Sequence, residues 1–299
     1  MAPIISVIAL GAMGGAVARK LTESGATVLT NLEGRSEQTR KRAQEAGVVD
    51  ATLKEIVQRS DFILSILPPR DAFTLAQTIS QEVAYRSRVA DRQLVYADCN
   101  AVNDKTVQRI AELFRGTSVA FVDASIIGGP PKGSYNPTFY ASADPEDRKA
   151  LKAFLSLSSL GLVIKVLDGE GAHVGDASAL KMSYAGITKG ITGLLATMVL
   201  AAHASSPATA EALVSELNAS QPEILRRITK SVPAMMPKAY RFVGEMQEIA
   251  EFVGEGQGDI HQGMAKLYER VAASINGDGK DIKVLEQFVG AAQKALQGT

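Results

Sequence analysis

The beginning of the chain restricts its fold more than any other stretch. Ile4–Leu10 is a near-continuous apolar run with β-branched residues, and it passes directly into Gly11-Ala12-Met13-Gly14. A run of this kind predicts a central parallel strand, buried on both faces. Ala12 to Ser24 then carries Met13, Val17 and Leu21 at helical spacing, and Gly25 stands where a helix ends. Strand, glycine turn and helix in immediate succession form a phosphate-binding fingerprint with Ala9 in place of its first glycine. Gly11 lets the backbone approach a pyrophosphate, and Gly14 lets the helix pack on the strand. The helix N-terminus presents unpaired N–H groups and a partial positive charge to the phosphates.

The pattern continues as alternating strands and helices. Strands are expected at Ala26–Leu32, Asp61–Leu67, Leu94–Asp98 and Ser118–Asp123, with further candidates at Phe139–Ala141 and Leu162–Val166. Helices are expected at Ser36–Glu45, Thr52–Gln58, Asp71–Ala84 and Lys105–Phe114. Such alternation implies βαβ units with right-handed crossovers, a doubly wound α/β domain. Beyond Asp168 the strand signals stop. One long helix is expected over Ala172–Ser205, closed by Pro207, and its apolar part, Ile187 to Ala202, is expected to be a buried core helix. Shorter helices follow at Ala208–Asn218, Glu223–Lys230, Ala239–Val253, His261–Ile275 and Ile282–Ala295, punctuated by Pro222, Pro233, Pro237 and the Gly254–Gly258 stretch. The expected domains are 1–168, α/β, and 169–299, all-α.

Composition closes several alternatives. The 299 residues carry 32 Lys+Arg against 32 Asp+Glu, so no basic field is present for a nucleic acid. The single cysteine, Cys99, cannot form an internal disulfide, and the three histidines (His173, His203, His261) show no metal-ligand spacing. No metal site is expected. Nothing at the N-terminus reads as a targeting signal, and neither a membrane nor a secreted location is expected; the reading is cytoplasmic.

The end of the second strand selects the cofactor. There the sequence reads Leu32-Glu33-Gly34-Arg35-Ser36. Arg35 can fork onto a ribose 2′-phosphate and Ser36 can donate to it, whereas Glu33 could serve a 2′-hydroxyl. Arg35-Ser36 at the turn favours NADP. At least one of Arg40, Lys41 and Arg42 is expected to belong to a solvated helix face.

These residues resemble the β-hydroxyacid dehydrogenases, the superfamily that includes 3-hydroxyisobutyrate and 6-phosphogluconate dehydrogenases. Leu10-Gly11-Ala12-Met13-Gly14 is similar to its opening element, and Arg35-Ser36 to its Arg-Thr or Arg-Ser pair. Ile66-Leu67-Pro68-Pro69 is similar to its Leu-Pro turn along the cofactor. Asp98-Cys99-Asn100-Ala101 falls at its Asp-x-Ser-Thr loop, and Asp123-Ala124-Ser125-Ile126-Ile127-Gly128-Gly129 at its substrate loop. Gly169-Glu170-Gly171 followed by Lys181 resembles its glycine pair and catalytic lysine. The resemblance covers roughly residues 4 to 205; the remainder resembles, less specifically, a 6-phosphogluconate-dehydrogenase-like helical domain. It implies a Rossmann domain whose cofactor contacts are Leu10, Gly11, Ala12, Met13, Gly14, Arg35, Ser36, Leu67, Pro68 and Asn100. It implies substrate contacts at Ser125, Gly128 and Gly129, and a homodimer through the helical domain. Three polar positions of the family are changed: its serines fall at Ile127 and Asn100, and its asparagine after the lysine at Tyr184.

Lys181 also stands out on its own residues. It sits in Ala177-Ser178-Ala179-Leu180-Lys181-Met182, a largely apolar helical stretch where lysine is rarely buried without a partner or a task. Ser178, Tyr184 and Ala185 share its face. A partly desolvated lysine can act as general acid and base. Tyr184 could donate a proton or bind substrate. Lys189 is expected to be a surface lysine, His173 structural and Cys99 a bystander; Tyr240, Arg241 and Glu245 are expected to make ordinary helix contacts. The expectation is therefore an NADP-dependent oxidoreductase acting on a small hydroxyacid or ketoacid, with Lys181 handling the proton. An imine reductase and a catalytically silent NADP-binding protein remain the alternatives.

Overall fold

The computed structural model describes residues 3–83 and 93–298. The chain forms two compact units, Met1–Met182 and Ser183–Thr299. The first opens as β1 (Ile4–Ile8), α1 (Ala12–Glu23), β2 (Thr27–Thr30), α2 (Glu37–Glu45), β3 (Val49–Asp50), α3 (Leu53–Arg59), β4 (Phe62–Ser65) and α4 (Pro69–Val83). It continues as β5 (Leu94–Asp98), α5 (Asp104–Glu112), β6 (Val119–Ile127), β7 (Thr138–Ser142), α6 (Arg148–Leu155) and β8 (Val163–Val166). The expected end of the fourth helix, Ala84, lies outside the described residues.

The strands form one sheet in the order β3-β2-β1-β4-β5-β6-β7-β8. Every pairing is parallel except β6 with β7. Strand order reverses between β1 and β4, which places the carboxyl end of β1 at the switch point where such sheets bind ligands. The central strands are apolar on both faces because helices cover both. Val95 and Ala97 of β5 join a core with Val7, Leu21 and Val122, while Tyr96 points to the opposite core with Ile63 and Ile110. There Tyr96 stacks on Phe114 at a ring separation of 4.6 Å.

Local signals fix several boundaries. Gly25 leaves α1 at φ +88, and Pro69 starts α4, where its missing N–H is no loss. Thr52 and Glu55 close a capping box on α3, so that helix starts at Leu53, one residue past the expected start. The sheet is mostly parallel, the doubly wound arrangement expected, with β7 folding back on β6. Other expectations need correction. The strand expected at Ser118–Asp123 continues to Ile127 because antiparallel pairing with β7 extends it, so Ser125 lies in a strand and not in a loop. Neither β3 nor α6 was signalled: β3 has two exposed residues, and α6 is a short helix buried at Ala150, Leu151 and Phe154.

The long helix, α7 (Asp176–Ser205), begins at Asp176 and not at Ala172. Gly171 and Gly175 adopt φ of +77 and +113, which no helix accommodates. This helix crosses from the first unit into the second, which continues with α8 (Pro207–Ser220), α9 (Pro222–Met235), α10 (Ala239–Val253), α11 (Gly258–Asn276) and α12 (Lys280–Gln297). Pro233 does not break α9. It removes one hydrogen bond near the helix end, and burial of Val232 and Met235 carries the helix past it. By length and composition α7 could cross a membrane, yet only 33% of its most apolar stretch is buried. The expected buried core helix is thus one-sided. Gly186, Gly190 and Gly193 form its covered face, where a Cβ on Gly193 would lie 2.6 Å from Met264 Sδ. Lys189 is paired with Glu245 and lies 4.5 Å from the centre of the Phe242 ring, so it is an internal strut of the second unit and not a surface lysine.

Candidate active site

The turn after β1 has the two properties that a dinucleotide needs. Gly11 is the N-cap of α1 without any side-chain cap, and the first turn holds no acidic residue, so its N–H groups remain available for an anion. A Cβ added to Gly11 would meet nothing within 4 Å, whereas one added to Gly14 would lie 2.0 Å from the carbonyl oxygen of Ala9. Gly14 is thus required by helix–strand packing. Gly11 leaves an open approach, the cradle that a pyrophosphate would fill. Leu10 is buried, Met13 packs on the core, and Ala12 is exposed beside Gly11.

At the end of β2, Leu32 donates its N–H to Asp50 at 2.9 Å, and Gly34 turns the chain at φ +66. The Arg40 guanidinium donates to the carbonyls of Leu32 (2.7 Å) and Arg35 (3.3 Å). Arg40 is therefore a strap that shapes the turn although it stays exposed, as do Lys41 and the Arg35 side chain. Ser36 is the N-cap of α2: its Oγ accepts the Thr39 N–H at 3.4 Å. Arg42 lies against the first turn of α1, with its Cδ 3.9 Å from a Cβ on Gly15.

The carboxyl ends of β4 and β5 are tied together by Asn100. Its Oδ1 accepts the Leu67 N–H at 2.5 Å, and its Nδ2 donates to Ser65 Oγ and to Asp98 Oδ2, both at 2.9 Å. Asn100 is 2% exposed, so its side chain braces the two loops while Pro68 stays at the surface. Cys99 is buried beside it, and burial pushes its thiol up.

Ser65, Asp98, Asp123 and Ser142 are register partners on β4, β5, β6 and β7, a polar row across the carboxyl edge of the sheet. Burial pushes Asp98 up to about 7, against the lowering effect of its Asn100 bonds; Asp123 raises it further and Lys181 lowers it. Burial likewise pushes Asp123 up to about 6, opposed by its bonds to Ser178, Gly175 and Ser142. Neither carboxylate was singled out as a site residue from sequence. The available signal was an acidic residue closing an otherwise apolar strand.

Lys181 reaches the end of β6, where its Nζ donates to the Ile126 carbonyl at 2.6 Å. Beyond Ile126 the chain turns through Gly128, at φ +130, where a Cβ would lie 2.4 Å from Tyr135 Oη; the Gly129 N–H donates to that hydroxyl at 3.1 Å. Both glycines are exposed. Ser125 is fully buried, and its Oγ has no hydrogen-bond partner among the described residues. Lys181, Ser125, Gly128 and Gly129 are thus brought together at one strand end. Tyr184 belongs to the second unit and is 52% exposed on α7. His173 pairs with Asp176 at 3.3 Å.

A doubly wound sheet with an open phosphate turn at its switch point defines a class, the dinucleotide-binding α/β domains. Residues 4–165 match the family described as the NAD binding domain of 6-phosphogluconate dehydrogenase, and the chain belongs to that family, within the β-hydroxyacid dehydrogenase superfamily. It is an NAD(P)-dependent oxidoreductase. Residues 204–271 match a domain described only as one of unknown function. Among solved structures, a conserved protein, MTH1747, described as similar to 3-hydroxyacid dehydrogenases, is 25% identical with a TM-score of 0.66, over 90% of this chain and 96% of that one. A 3-hydroxyisobutyrate dehydrogenase of Mycobacterium tuberculosis shares the fold at 16% identity and a TM-score of 0.64, over 91% and 94% of the two chains. An imine reductase variant from Myxococcus stipitatus does so at 18% and 0.52, over 97% and 100%. No curated protein matches the sequence.

Proposed function

We propose that the chain is an NADP-dependent cytoplasmic dehydrogenase or reductase that acts on a small hydroxyacid or ketoacid, with Lys181 as its general acid and base. The observation that carries this reading is the half-buried Lys181 ammonium held 2.6 Å from the Ile126 carbonyl, beside the exposed Gly128–Gly129 turn. When bound, the nicotinamide supplies the hydride chemistry. The chain supplies position and the proton. Gly11 and the N-terminus of α1 receive the pyrophosphate, with Leu10, Ala12, Met13 and Gly14 shaping the turn. Arg35 receives the 2′-phosphate beside Ser36. Leu67 and Pro68, braced by Asn100, line the cofactor's path. In carbonyl reduction Lys181 gives its Nζ proton to the developing alkoxide; in alcohol oxidation the neutral amine takes the hydroxyl proton. Ser125, Gly128 and Gly129 form the substrate side.

Titration of both cofactors into the protein tests the first half. NADP should bind about tenfold or more tightly than NAD, as a charge-assisted bidentate contact warrants, and Arg35→Ala should erase the difference. Tighter binding of NAD would overturn the assignment and transfer the role to Glu33. A screen of ketoacids, hydroxyacids and cyclic imines, read by NADPH consumption or NADP reduction, tests the second half. Turnover of cyclic imines alone would favour imine reduction, the reading that the exposed Tyr184 keeps in play. Failure with every substrate would leave a silent NADP-binding protein.

The helical unit is proposed to form a homodimer. Tyr184, Ile187, Ile191, Leu194 and Met198 are exposed on α7 at alternating spacings of three and four residues. That repeat is the seam of a helix pair, which a second copy of the same helix fits. Sedimentation should give a dimer, and Leu194→Glu a monomer; a monomeric parent protein would remove the proposal.

A further inference from the structure

Resting on the assignment of Lys181 as the acid–base group, we propose that Asp123 is its positioning residue, fixing the first turn of α7 so that the ammonium meets the end of β6. The first N–H groups of a helix have no partner within the helix. In α7 they are met from the sheet. Asp123 Oδ2 accepts the N–H of Gly175 at 3.1 Å, the N–H of Ser178 at 2.9 Å and the hydroxyl of Ser142 at 3.5 Å; Oδ1 accepts the hydroxyl of Ser178 at 2.9 Å. Ser142 Oγ in turn accepts the N–H of Ala177 at 3.2 Å. The negative carboxylate also lies where the helix end is positive, the favourable sense.

The second hold is in the same strand. Three residues after Asp123, the Ile126 carbonyl accepts Lys181 Nζ; three residues after Ser178 comes Lys181 itself. The same interval on strand and helix pins α7 to β6 twice, once through the buried carboxylate and once through the ammonium. Helical residues three apart lie on one face, about 4.5 Å along the axis. A slip of the Ser178 turn would therefore carry Lys181 Nζ off its carbonyl. The elements around this joint agree in purpose: Val174 donates to Asp144 at 3.0 Å and accepts from Gln108 Nε2 at 3.3 Å. Gly175 turns at φ +113, a backbone conformation that L side chains rarely adopt. The hydrogen bonds of Asp123 go to the first turn of α7, which carries Lys181, while its register partner Asp98 holds the Asn100 brace.

The test uses the full-length protein carrying Asp123→Asn, with Ser178→Ala as a milder variant should the first not fold. Surface amines are reductively methylated with ¹³C-formaldehyde, and the Lys181 resonance, identified by its loss in Lys181→Arg, is titrated with pH. The charged groups facing this joint are Asp98 on β5, Asp104 on α5 beside Gly175, Asp144, which accepts the Val174 N–H, Asp176 with His173 at the start of α7, and Lys181 itself. Loss of the carboxylate removes a negative charge that favours the ammonium, so the Lys181 midpoint should fall by about half a pH unit or more. NADP affinity should stay within about twofold, and kcat for the substrate class found in the screen should fall about 10- to 100-fold, the scale of a misplaced group. A Lys181 resonance that titrates as in the parent in both folded variants would overturn the inference, even if Lys181→Ala is inactive. Full turnover by Lys181→Ala would overturn the acid–base assignment instead, and the displaced resonance would still report the joint.

Discussion

Lys181→Ala is expected to lower kcat about 10²- to 10⁴-fold, the usual share of a positioned acid–base group, while leaving NADP affinity unchanged. The reason is chemical. Transfer of hydride to a carbonyl leaves an alkoxide, and Lys181 places its ammonium at the end of β6. Among its contacts, the hydrogen bond to the Ile126 carbonyl is worth about 1 kcal/mol of stability, and the position is half-buried, so the variant should fold. Lys181→Arg sharpens the test. A guanidinium keeps the charge and the donors but stays protonated at any working pH, so it should be as inactive as alanine in the oxidative direction. Steady-state rates beside a cofactor titration decide the matter. Turnover within a factor of a few of the parent would remove the lysine mechanism.

Two glycines separated by two residues should behave in opposite ways. Gly14→Ala places a methyl 2.0 Å from the Ala9 carbonyl, a backbone atom that cannot swing aside. The helix must shift from β1, at an expected cost of about 1–3 kcal/mol or more, so the melting temperature should fall and nucleotide affinity with it. Gly11→Ala meets no protein atom within 4 Å, so its melting temperature should stay near that of the parent. Its added methyl stands in the proposed pyrophosphate approach, so dinucleotide affinity alone should drop. Thermal melts with and without NADP separate the two effects. If Gly11→Ala binds NADP as well as the parent, the phosphates do not lie against this turn.

What could be read from sequence was local. The Ile4–Leu10 run, the glycine turn and the apolar spacing of Met13, Val17 and Leu21 fall within one strand and one helix, and each residue's requirement is set by near neighbours. Lys181 was legible because a lone charge in an apolar helical stretch needs a reason. What depended on distant partners was not legible. Arg40 reads as one cation in a run of three, and only the fold of the turn shows that it straps the carbonyls of Leu32 and Arg35. Asn100 reads as a loop polar group, and only the approach of β4 to β5 turns it into a brace. The extension of β6 through Ser125 follows from its antiparallel pairing with β7, which no pattern in Ser118–Asp123 announces. Lys189 found Glu245 only because α7 and α10 meet.

The joint at Asp123 bears on how such chains can be recombined. Strand signals end near Asp168, which makes that point look like a natural seam for exchanging one helical module for another. The donors that satisfy the buried Asp123 carboxylate lie beyond it, at Gly175 and Ser178. A chimera joined at 168 would inherit its carboxylate from one parent and the matching donors from another. A chimera joined after Met182 transfers both together. The exchangeable cassette therefore includes the first two turns of the long helix, and the inheritance of this nucleotide-binding unit is bounded by a hydrogen-bonded joint and not by the last strand of its sheet.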